Sequence, residues 1–69
     1  MTAHLIAGNR SDLEVGLGYL NISKSVKRAG EIRQARGVYV STVLLSKPFT
    51  EVAQDLKSQF GRFVQLHRT

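Results

Sequence analysis

Apolar and polar positions change period along this chain. Ala3-His4-Leu5-Ile6-Ala7 reads as a short strand closed by Gly8-Asn9, a pair suited to a turn because both residues tolerate positive φ. Leu13-Glu14-Val15-Gly16-Leu17 alternates apolar with polar or small residues, which predicts a second, half-buried strand, with Gly16 and Gly18 marking a bulge or sharp bend. Val38-Tyr39-Val40-Ser41-Thr42-Val43-Leu44-Leu45 is rich in β-branched residues and predicts a central strand. After it, Phe49, Val52, Ala53, Leu56 and Phe60 recur at helical spacing behind Pro48, so Pro48 to Phe60 is expected to be a helix ended by Gly61. Arg62 to His67 then reads as a last strand.

Tyr19 to Arg36 fits two periods. At helical spacing Ile22, Val26, Ala29, Ile32 and Ala35 share a face, with Asn21 or Ser23 as cap and Gly37 as terminator. At period two Leu20, Ile22 and Val26 oppose Asn21, Ser23, Ser25 and Lys27, with Ala29-Gly30-Glu31 as a turn. Propensity alone leaves both open.

Composition narrows the class. The chain has 69 residues, 42% of them hydrophobic and 22% charged, with one proline and no cysteine. That is one small foldable domain, residues 1–69, without disulfides. A core of this size contributes only about 3–5 kcal/mol, so a homo-oligomer, dimer or higher, is expected. His4 and His67 stand at opposite ends with no Cys nearby, and neither a metal nor another cofactor is expected. No apolar run approaches a membrane span, and Met-Thr-Ala-His does not open like a secretory leader, which points to a cytoplasmic domain without membrane association. Ten Lys and Arg against five Asp and Glu give a net charge of +5 and direct attention to a polyanion.

Several blocks in order resemble the bacterial-type single-stranded DNA-binding protein family. Leu5-Ile6-Ala7-Gly8-Asn9 followed by Asp12-Leu13-Glu14-Val15 is similar to the family's first strand and the turn after it. Leu20-Asn21-Ile22-Ser23 resembles its second strand, and Gly30-Glu31-Ile32-Arg33 the tip of its long hairpin. Val43-Leu44-Leu45-Ser46-Lys47, then Glu51-Val52-Ala53, Leu56-Lys57 and Gly61, is similar to its third strand, helix and following glycine. The resemblance implies a mainly β, α+β domain: an OB-like four-stranded antiparallel partial barrel with one helix between strands three and four. It implies a role in DNA replication, and Val52, Ala53, Leu56 and Phe60 as the helix's core face. The chain departs from the family in lacking tryptophan, an acidic tail and a fifth strand, and edges left open by that strand would be paired by another copy or by a strand from another protein.

The residues suggest binding rather than catalysis. There is no Ser/His/Asp or Cys/His constellation and no phosphate-cradling glycine motif, so an enzyme is not expected. Lys24, Lys27, Arg28, Arg33 and Arg36 crowd one segment with a single acid, Glu31. As a hairpin beside a groove they would track the phosphates of a single strand, with Lys47, Arg62 and Arg68 extending the track. The resemblance places Tyr39 near a base-stacking position, and Tyr19 is a second stacking candidate. Phe49, Phe60 and Phe63 are assigned to the core. The expected function is therefore sequence-independent binding of single-stranded DNA through a basic groove and stacking aromatics. The alternatives are a duplex-DNA regulator with residues 22–36 as a recognition helix, and a protein-interaction module working through an exposed strand edge.

Overall fold

A computed structural model describes residues 1–69. The chain runs β1 (Thr2–Ala7), α1 (Arg10–Ile22), β2 (Val26–Arg28), β3 (Arg33–Ala35), β4 (Val38–Leu45), α2 (Phe49–Phe60) and β5 (Val64–Arg68). The expected four-stranded OB-like partial barrel with one helix is thereby corrected to an α+β fold with five strands and two helices. The sheet is antiparallel throughout, in the order β2-β4-β1-β5, with β3 also paired to β4. With β2 and β3 taken as one interrupted edge strand, this is the split β-α-β arrangement, two interleaved units sharing one open sheet.

The largest departure is α1, which occupies residues expected to form a strand. Leu13, Val15 and Leu17 satisfy period two, but the second half of the turn decides. Leu13, Gly16, Leu17 and Leu20 are buried at helical spacing, whereas Val15 is 57% exposed. Asn9 is the N-cap: its Oδ1 accepts from the Asp12 amide at 2.8 Å while its Nδ2 donates to Asp12 Oδ2 at 2.9 Å. Leu20-Asn21-Ile22-Ser23, read as a second strand, is the end of this helix and its cap, and Ser23 Oγ donates to the Leu20 carbonyl at 3.0 Å.

The ambiguous segment resolves into extended structure after α1. Val26, Lys27 and Arg28 pair with Leu45, Leu44 and Val43; Arg33, Gln34 and Ala35 pair with Val40, Tyr39 and Val38. No helix spans residues 22–36, so the recognition-helix alternative is also corrected. Ala35 opposite Val38 leaves Arg36 and Gly37 as a two-residue loop, at φ +48° and +82°, the positive values that a tight hairpin of matching twist demands.

The strand at Ala3–Ala7, the central strand Val38–Leu45, the helix after Pro48, its end at Gly61 and the last strand are all present. Both helices cover one face. Ala3, Leu5 and Ala7 of β1, Val43 of β4, Val26 and Val64 form a single core with Leu13, Leu17 and Leu20 of α1 and Val52 and Leu56 of α2. Ala53 and Phe60 are half-buried beside it, as is Phe49. Phe63, expected in the core, is 69% exposed, because it precedes β5 on the α2–β5 turn. No helix is long and apolar enough to cross a membrane.

Candidate nucleic-acid interface

Because side chains alternate across strands, the face opposite the helices can be read from the register. It carries Thr2, His4 and Ile6 of β1, opposite Leu44, Thr42 and Val40 of β4. On one side Lys27 stands opposite Leu44, Arg33 opposite Val40 and Ala35 opposite Val38. On the other, Gln65 and His67 of β5 lie opposite Ile6 and His4. Val38, Val40 and Ile6 are half-buried and Leu44 is exposed, so the middle of this face is an apolar strip with two cations along one edge. None of its strand residues is Asp or Glu. Asp12 and Glu14 are on α1, Glu51 and Asp55 on α2, and Glu31 lies in the break between β2 and β3.

The ten residues expected to bind nucleic acid do not converge. Lys27 and Arg33 share the open face, and Arg36 stands at the adjoining hairpin tip. Arg28 alternates to the helix side, where its Nε donates to the Gly30 carbonyl at 3.0 Å and it lines a cleft with Glu14, Leu17, Gly18, Asn21 and Val26. Lys24 occupies the α1–β2 turn at φ +59°. Lys47 lies 3.9 Å from Glu51 at the start of α2, an exposed pair of little energetic weight. Arg62 is on the α2–β5 turn, and Arg68 turns to the helix side with its guanidinium carbon 4.7 Å from the centre of the Phe49 ring.

Neither tyrosine lies on the open face. Tyr19 is wedged between the helices, its ring edge-to-face with Phe60 at 5.4 Å and its hydroxyl donating to Asp55 Oδ1 at 2.9 Å. That bond to a carboxylate, reinforced by desolvation and by the Asp55 charge, raises the phenol pKa above its ordinary 10.0. Tyr39 is opposite Ala7 and Gln34, alternates to the helix side and packs on the core half-buried. The open face holds no Phe, Tyr or Trp, because period two along β4 turns Tyr39 inward with Ser41 and Val43.

What sequence reasoning missed on this face is His4, Ile6, Val40, Thr42, Gln65 and His67. The signal was present in β1, where His4 and Ile6 alternate with three small or apolar residues, but it names an open face only once both helices are known to lie on the other side.

No family model, curated protein or solved structure matches this chain.

Proposed function

We propose that the open face of the sheet binds single-stranded nucleic acid without sequence preference, with the backbone along Lys27, Arg33 and Arg36 and the bases against the apolar strip of Val38, Val40, Leu44 and Ile6. The observation that supports this reading is the segregation of charge: a face whose strands carry cations beside apolar residues and no Asp or Glu, on a chain of net charge +5. Such a face offers phosphate contacts and an apolar surface to unstacked bases, which a duplex does not expose. With the tyrosines engaged elsewhere, phosphate contact supplies most of the affinity, and stacking on aromatic rings, worth about 1–3 kcal/mol per base, is missing. Binding is therefore weak and strongly dependent on salt.

The test is fluorescence anisotropy of labelled single-stranded and duplex oligonucleotides across a salt series. The expected result is tighter binding to the single strand, with log K falling against log salt at a slope of about −1.4 to −2 for two to three phosphates. Absence of binding at low salt, or preference for the duplex, overturns the proposal.

A further inference from the structure

The open face carries two side chains for which nucleic-acid binding provides no role. His4 and His67 belong to opposite ends of the chain, yet the β1–β5 register makes them direct partners. Opposed residues of an antiparallel pair project to the same face with Cβ atoms about 4.5–5.5 Å apart. Two imidazoles at that spacing reach a single ion through bonds of about 2.0–2.1 Å.

A second observation concerns how His67 is held. Its Nε2 lies 3.2 Å from Gln65 Oε1, two residues away on the same face. An amide oxygen only accepts, so this contact takes Nε2 as the donor and leaves Nδ1 outside it. A histidine that ligates a metal is typically oriented in this manner, one ring nitrogen donating to an oxygen and the other free for the ion. The surroundings do not oppose a cation. Thr42 is opposite His4 on β4, Thr2 and Ile6 flank it on β1, and Gln65 and Thr69 flank His67, so no Lys or Arg is an immediate neighbour on this face.

We propose that His4 and His67 form a two-histidine site for a borderline divalent transition cation, Zn²⁺ or Ni²⁺, that clips the first strand to the last. Imidazole suits both ions. No third His, Cys, Asp or Glu joins the pair, so water fills the remaining positions and the affinity is that of two protein ligands. The ion stabilises the fold, since unfolding separates the two histidines by nearly the whole chain.

The experiment titrates the full chain with zinc chloride alone, slightly above neutral pH, followed by calorimetry and thermal melting. One ion per chain is expected, with a melting temperature that climbs as zinc is added. His4→Ala and His67→Ala should each weaken binding at least tenfold, and Gln65→Ala by about tenfold, the usual effect of removing a partner behind a ligand. Proton NMR of the unaltered chain should show both imidazole signals shifting together with zinc, a readout independent of how the variants fold. Binding that survives His67→Ala overturns the proposal. Lack of saturation by about 1 mM zinc, or movement of only one imidazole signal, also overturns it. No nucleic acid is present, so the result does not depend on the function proposed for the neighbouring strip.

Discussion

Gly16 of α1 lies so close to Val64 of β5 that a Cβ on residue 16 would stand 3.1 Å from Val64 Cγ1 and 3.3 Å from Cγ2. The helix reaches the sheet at this point because residue 16 has no side chain. Gly18, two positions on, faces open space, with nothing within 4 Å of where its Cβ would be. The two glycines should therefore respond oppositely to alanine. Gly18→Ala is expected to stabilise the protein by about 0.5–1 kcal/mol, the gain in helix propensity with no packing cost. Gly16→Ala receives the same propensity but must displace buried Val64, and should be destabilising. Urea unfolding of both variants checks this, and equal stabilisation would mean that α1 does not seat on β5 so closely.

These glycines also explain why α1 was hidden from sequence reading. Two glycines beside an apolar alternation are better evidence for a bent strand than for a helix, and only contact with Val64 makes Gly16 an asset. Elements whose pattern is local were legible: β4 from its β-branched run, α2 from its apolar spacing and Gly61. The candidate site was legible only in part. The cations of residues 24–36 are visible in the sequence, but the sides they take follow from the pairing with β4, which sets Arg28 opposite Val43 on the helix side and Arg33 opposite Val40 on the open face. His4 and His67 become neighbours only through the pairing of the chain's two end strands, a long-range contact that no local period encodes.

Ser41 offers a test of the core. It is buried on the helix side of β4 opposite Leu5, and its hydroxyl has no hydrogen-bond partner. An unsatisfied buried polar group costs about 1–3 kcal/mol, and alanine removes it while keeping the Cβ. Ser41→Ala is expected to stabilise by about 1 kcal/mol in thermal or urea unfolding. A loss of stability would reveal that the hydroxyl is bonded in solution.

Tyr19 and Asp55 link the two helices and give stability an alkaline limb. The raised phenol pKa means that the folded chain holds this proton more tightly than the unfolded chain does. The contribution is complete below the ordinary value of 10.0 and is lost as pH rises through the higher folded value. Urea midpoints followed from neutral to strongly alkaline pH should decline less steeply above the ordinary tyrosine range in Tyr19→Phe, which keeps the ring on Phe60, and in Asp55→Asn. Curves parallel to the unaltered protein would show that the pair does not hold in solution.

Lys27 and Arg33 are exposed and make no ion pair, so neutralising them should leave the fold intact and act only on binding. Each phosphate contact to a single strand contributes about 0.7 to the salt slope. Lys27→Gln and Arg33→Gln should therefore each flatten the slope by about that amount, and the double variant by about 1.4. Lys57→Gln supplies the comparison, since it removes the same charge from α2 on the other side of the sheet. If affinity depended on net charge alone, all three single variants would weaken binding alike and the two residues of the strip would lose their distinction. If the strip is the contact surface, the α2 variant keeps nearly the full slope. The anisotropy series then separates attraction to a basic protein from attachment along one face of its sheet.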